Sequence, residues 1–207
     1  MLYLANASSP RVREAMRSNE IGMMCTPAEG RDPLDGVPWG ADNGCFGKGY
    51  PGSAAWRAWL GRLAEHADRC LWASAPDVVG DAAATLDRSR PHLPTIRALG
   101  FPPALVAQDG LERLTVPWDE FDVLFLGGST EWKLGPAAGE LVADALAHRK
   151  RVHMGRVNSR RRWSYAEHLG CHTVDGTFLA FAPDTNLRRL LSWTRQGALF
   201  TDAEGAA

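Results

Sequence analysis

Short, continuously apolar runs alternate along this chain with longer segments whose apolar residues recur at helical spacing. Runs of this kind, bounded by turn residues, read as strands buried on both faces. They occupy residues 2–7, 21–25, 71–75, 104–107, 122–126 and 152–154, with briefer ones at 39–42 and at 173–174, just before Asp175. Between them lie helices with recognisable starts. Ser8-Ser9-Pro10 offers a hydroxyl cap followed by proline, and Val12, Ala15 and Met16 then share one face. Residues 53–70 carry a stripe of Trp56, Trp59, Leu60, Leu63 and Ala67. Residues 82–99 predict a helix broken near Pro91 and Pro94. Further helices are predicted at 136–149 and 160–169, and a last one, capped by Asp184, runs to residue 196. Residues 26–38, rich in Gly, Pro and Asp, read as a loop, as do 44–52, and 111–120 as a mixed connector.

Strand, glycine-rich or polar turn, helix: the repetition predicts a parallel sheet covered by helices. About seven such units place the chain in the α/β class as a compact (β/α)8 TIM-like barrel with one degenerate βα unit. With 207 residues, 45% of them apolar, it reads as one barrel domain over residues 1–200, followed by a disordered tail at 201–207. No apolar run reaches the roughly 18 residues that a membrane span requires, and the N-terminus lacks the basic region of a signal peptide.

The barrel expectation gives the polar residues after the strands their meaning, because those positions share the face where barrel active sites lie. Asp42, Asp77, Gln108, Gly127, Gly128, Gly155 and Asp175 all follow strands. A carboxylate can attack an anomeric carbon while a second group manages the leaving group's proton. Asp175, in Val-Asp-Gly-Thr, and Asp42, before Asn43-Gly44, suit that pair, although each alone also suits a turn or cap. Asp77 can accept hydrogen bonds from the N1–H and amino group of a guanine, and Gln108 can read a carbonyl. Gly127-Gly128 can offer free backbone N–H groups and a flat floor. Trp132 follows on the same rim, where it can stack on a base.

Net charge is −1, but residues 149–195 are basic, which suits a phosphate backbone or a solvated helical face equally. Arg156, Arg160 and Arg161 are placed to hold a phosphate after the late strands. Cys25, Cys45, Cys70 and Cys171 form no paired motif and read as reduced thiols of a cytoplasmic protein, in the host cytoplasm if phage-encoded. The histidines show no metal-binding spacing, so they read as core or surface residues, and no metal or cofactor is expected.

In order, these segments resemble the tRNA-guanine transglycosylase superfamily. Asp42-Asn43-Gly44-Cys45-Phe46 stands where that family has Asp-Ser-Gly-Gly-Phe, Asp77 where it has a base-recognising aspartate, and Gln108-Asp109-Gly110 where it has Gln-Gly-Gly. Gly127-Gly128 and Met154-Gly155 match two further motifs, and Asp175 the nucleophile. The family's zinc-binding cysteines and histidine have no counterpart here, which brings the chain nearer to compact phage and bacterial 7-deazaguanine DNA transglycosylases. The resemblance implies a DNA base-exchange enzyme that replaces guanine with a 7-cyano or 7-aminomethyl deazaguanine. Asp175 and Asp42 would be catalytic, and Asp77, Gln108, Gly127, Gly128, Met154 and Gly155 would bind the base. A helper protein is left open as a partner. The alternatives are exchange in tRNA or another RNA, a non-catalytic nucleic-acid-binding subunit, or a barrel acting on a small sugar phosphate.

Overall fold

A computed structural model describes the backbone of residues 1–204 and the side chains of residues 1–194. Eight parallel strands close into a barrel in chain order: β1 (Leu2–Ala5), β2 (Gly22–Cys25), β3 (Trp39–Ala41), β4 (Cys70–Ser74), β5 (Pro103–Ala107), β6 (Val123–Leu126), β7 (Arg151–Met154) and β8 (Thr173–Asp175). Closure is made by β8 against β1, with Leu2 opposite Thr173 and Leu4 opposite Asp175. The fold is thus the expected (β/α)8 barrel, with all eight strands present. What is degenerate is the connections. The proline- and glycine-containing segment from β2 to β3 forms no helix, and β5 reaches β6 through two short 3-10 turns, Leu111–Arg113 and Trp118–Glu120.

Elsewhere helices cover the barrel: α1 (Pro10–Arg17), α2 (Ser53–Arg62), α3 (Ala82–Ser89), α4 (Leu93–Ala98), α5 (Thr130–Lys133), α6 (Pro136–Ala147), α7 (Arg160–His168) and α8 (Pro183–Glu204). Ser9 caps α1 as its sequence predicts, accepting the Val12 N–H at 3.2 Å. The break expected near Pro91 is a 3-10 turn between α3 and α4. The helix predicted over 53–70 tightens after α2 into a 3-10 segment, Leu63–Arg69, that leads into β4. Asp184 lies in the first turn of α8, where its carboxylate accepts the Ser9 hydroxyl at 3.0 Å and ties α8 to the start of α1. α8 continues past residue 201, where the tail was expected; residues 205–207 lie outside the described residues. Among the described residues no helix is long and apolar enough to cross a membrane.

Strand alternation divides the interior into two layers. Outward-facing residues such as Trp39, Leu124 and Met154 pack with Trp56, Leu60 and Trp163 beneath the helices. Inward-facing Leu4, Met24, Trp72, Ala104, Val106 and Phe125 fill the barrel itself. This plug floors a cavity that opens at the C-terminal ends of the strands.

Candidate active site

The cavity has a volume of about 470 Å³ and is lined by Asp42, Asp77, Gln108 and Asp175, with Gly127, Gly128, Gly155 and Arg156 among its walls. Six different strands deliver these residues, each from its C-terminal end. The two aspartates that the sequence singled out, from β3 and β8, therefore reach one pocket.

Asp175 is held from several sides. Its Oδ2 lies 2.9 Å from His153 Nε2, and its Oδ1 accepts the Arg156 backbone N–H at 3.0 Å. Burial pushes its carboxyl up. The His153 hydrogen bond, the attraction of that ring when it is protonated, the Arg156 N–H and the nearby Lys133 ammonium together outweigh burial and hold it below the ordinary carboxylate range. Asp175 is thus a carboxylate at neutral pH. Arg156 reaches it from a left-handed backbone (φ 62°), a conformation that costs a non-glycine residue energy and here aims the N–H inward.

Asp42 has the opposite tendency. Its Oδ1 accepts the Gly44 N–H at 2.7 Å, in a turn that Gly44 closes with φ 78°. That single donor lowers the pKa less than burial raises it, and the charges of Asp175 and Asp77 add to the rise, bringing the carboxyl to about 7. One carboxylate and one proton-holding acid in the same pocket are the arrangement from which acid and nucleophile roles separate.

Asp77 is buried, and each of its oxygens accepts one amide N–H, from Asn43 at 3.0 Å and from Gln108 at 2.6 Å. Burial raises its pKa against those two hydrogen bonds. Asn43 is itself fixed, donating to the Ala75 carbonyl at 2.7 Å and accepting from the Cys45 N–H at 2.7 Å. Gln108 accepts the Gly80 N–H at 2.9 Å, so its carbonyl end is engaged and its amino group faces Asp77. Each Asp77 oxygen retains a further lone pair, and the Gln108 amino group a second proton.

Several expectations need correction. The Gly127 and Gly128 N–H groups are not free, because both donate to the Ala107 carbonyl at 3.0 Å. Their carbonyls are engaged as well: Arg156 reaches both, and the buried Lys133 ammonium lies 3.4 Å from that of Gly127. The pair lines the cavity as bare backbone surface. Met154 does not line it: period-two alternation turns Met154 into the outer layer and leaves Gly155 inward. Trp132 donates its indole N–H to Glu112 at 2.9 Å and is not part of the lining. The Arg156 guanidinium, expected on a phosphate, binds the two glycine carbonyls and lies 4.6 Å from the centre of the Phe46 ring. Arg160 and Arg161 are exposed in the first turn of α7, and among the described residues neither forms a salt bridge.

Sequence reasoning missed His153, Lys133, Asn43 and Phe46 as site residues. His153 had a legible signal, since it is a polar residue inside an apolar strand, two positions before Gly155 and so on the same inward face. Lys133 is 2% exposed, donates to the Gly155 carbonyl at 2.5 Å, and has its pKa pushed down to about 7, chiefly by burial and then by the Arg156 charge. Nothing in its local sequence signals that burial. Phe46 is 65% exposed at the mouth of the cavity.

Gly176, in the turn after Asp175, has no room for a side chain. A Cβ on Gly176 would collide with Asn158 Oδ1 and lie 2.8 Å from the Tyr3 hydroxyl and 2.9 Å from the Val157 carbonyl. Gly176→Ala is expected to destabilise the fold by about 1–3 kcal/mol through this overpacking, read as a lower midpoint in urea with an unchanged slope.

Comparisons with known proteins give a different neighbour from the one the motifs imply. No family model matches the chain, and no curated protein matches it. A solved structure that does match is the YkuI protein of Bacillus subtilis, which has an EAL domain and was determined with its substrate c-di-GMP and calcium. Identity is 14% and the TM-score 0.46; the match covers 96% of this chain and 53% of YkuI, so the chain spans about half of that protein's length. The resemblance to the transglycosylase superfamily is thereby corrected. Its motifs are two- to five-residue turns, and Asp-Asn-Gly, Gly-Gly and Asp-Gly are what the ends of barrel strands use generally.

Proposed function

We propose that this chain is a base-exchange glycosyltransferase that removes guanine from a DNA nucleotide and installs a 7-deazaguanine in its place. One observation carries the reading: Asp175, held ionised, and Asp42, holding its proton to about pH 7, face a single cavity large enough for a bicyclic base.

The target nucleotide leaves the stack at a cost of a few kcal/mol, recovered by contacts in the pocket. Asp77 accepts the N1–H and amino protons of guanine through its remaining lone pairs, and the Gln108 amino group donates to O6. Phe46 and the bare Gly127-Gly128 backbone offer flat surfaces to the ring faces. An Asp175 oxygen attacks C1′. The C1′–N9 bond breaks, its electron pair stays on N9, and Asp42 supplies the proton. The incoming base then returns a proton from its N9 to Asp42 and attacks C1′ from the face that guanine left. The C1′–oxygen bond breaks and Asp175 recovers its electron pair. Two inversions give net retention. A 7-deazaguanine differs from guanine away from the edge that Asp77 reads, so the same contacts accept it. Arg160 and Arg161 engage phosphates flanking the extruded nucleotide.

The test supplies DNA and, in a parallel arm, tRNA, each with radiolabelled guanine, together with 7-cyano- and 7-aminomethyl-deazaguanine. Release of label from DNA that depends on the incoming base is expected. Release confined to tRNA would move the substrate to RNA, and no release from either polymer would overturn the reading.

A further inference from the structure

His153 has no surface exposure, yet both of its ring nitrogens are partnered inside the barrel. Its ring sits between Trp72 and Phe125, with centroids 4.5 and 4.4 Å away. Nδ1 lies 2.8 Å from Thr173 Oγ1 and Nε2 lies 2.9 Å from Asp175 Oδ2. The Thr173 hydroxyl in turn accepts the Trp72 indole N–H at 3.3 Å.

The chemistry of the four groups gives this chain a direction. An indole nitrogen can only donate, so it occupies a lone pair of the Thr173 oxygen. The hydroxyl proton is then free to point at His153 Nδ1, which accepts it when the ring proton lies on Nε2. That proton is then aimed at the carboxylate of Asp175. The other tautomer would set the Nε2 lone pair against a carboxylate oxygen. An imidazolium would turn the Thr173 hydroxyl proton away from its partner. We propose that Trp72, Thr173 and His153 form a directional hydrogen-bond chain that locks His153 in its Nε2–H tautomer and thereby orients Asp175 and keeps it ionised. All three are positioning residues for Asp175. They rest on the base-exchange reading only for their effect on rate.

The chain matters most when Asp175 must leave C1′ as a carboxylate, because a donor already aimed at Oδ2 stabilises the charge that returns there. It acts beside the Arg156 N–H on Oδ1, with the Lys133 and Arg156 cations and the Asp42 carboxyl also close to Asp175.

Nitrogen-15 NMR of the ligand-free protein decides the tautomer, and carbon-13 titration of the Asp175 carboxyl decides its ionisation. An Nε2–H imidazole at neutral pH is expected in the wild type and a mixed tautomer in Thr173→Val. The Asp175 midpoint is expected to rise in His153→Phe and to return towards wild type in His153→Gln, whose amide still donates. In exchange assays His153→Phe is expected to lose about 10- to 100-fold in kcat, the effect of one hydrogen bond to a charged group, with KM for the incoming base little changed. His153→Gln and Thr173→Ser should recover much of the rate lost by His153→Phe and Thr173→Val respectively. An Nδ1–H or doubly protonated ring in the wild type, or an Asp175 midpoint indifferent to His153→Phe, overturns the proposal. Those spectra need no turnover, so a wild type that never exchanges a base removes the functional reading and leaves the chain to be judged by NMR.

Discussion

Asp175→Asn is expected to lower the proposed base exchange by about 10⁴-fold or more, the scale of loss when a covalent nucleophile is removed. An amide has neither the charge nor the nucleophilicity to attack C1′. The substitution is nearly isosteric, so the fold should survive it. One amide face will meet a donor, either the Arg156 N–H or His153 Nε2, where a carboxylate oxygen met it before. Leaving such a donor unsatisfied costs about 1–3 kcal/mol, which a cooperative melt will register without loss of the folded state. The decisive measurement is denaturing gel electrophoresis of protein mixed with DNA in the absence of an incoming base. Wild type should form a covalent protein–DNA band and Asp175→Asn none. A band of equal intensity in the variant would place the nucleophile elsewhere.

Asp42→Asn is expected to act on both rate and stability, with pH dependences that identify the cause. On the proposed mechanism, formation of the glycosyl intermediate needs protonated Asp42, so its rate in the wild type should fall about tenfold per pH unit above about 7. The variant should lose about 10²–10⁴-fold at pH 6–7 and lack that alkaline limb, as measured by single-turnover kinetics from pH 5 to 9. Stability should move the other way. The folded pKa of Asp42 lies above its ordinary value of 3.8, so the protonated carboxyl favours the folded state below pH 4, and that contribution is lost as pH rises through about 7. Above pH 7 the wild type buries a charge that the amide does not carry. After allowance for water in the cavity, Asp42→Asn should be more stable than wild type by about 1–3 kcal/mol at pH 8 and by little at pH 4. Urea denaturation at the two pH values measures the difference. Equal stability increments at both would show that Asp42 ionises normally.

Much of the candidate site is legible in the sequence. Asp42, Asp77, Gln108 and Asp175 stand out because each follows an apolar run and precedes or adjoins turn residues, and barrel topology gathers such positions on one rim. The errors have physical causes of their own. Met154-Gly155 reads as one motif, although neighbouring strand residues face opposite ways. Gly127 and Gly128 look like free donors in the sequence, but a backbone N–H at a strand end finds the adjacent strand's carbonyl first, here that of Ala107. Motif order suggested a family that the comparisons do not support, because turn chemistry recurs wherever parallel strands end.

Sequence alone determined the alternation of strand and helix, the cap at Ser9, the break near Pro91 and the rim that gathers Asp42, Asp77, Gln108 and Asp175. These depend on local propensity, periodicity and turn residues, all of which are written within a few positions of each other. Tertiary structure decided that all eight strands close, that His153 and Lys133 are buried beside Asp175, and that the Asp42 carboxyl is pushed up while that of Asp175 is held down. Ionisation is set by burial and by donors from other strands, and the groups that tune Asp175 come from β7, the turn after it and α5. No local stretch of sequence encodes that meeting; only the closed barrel brings it about.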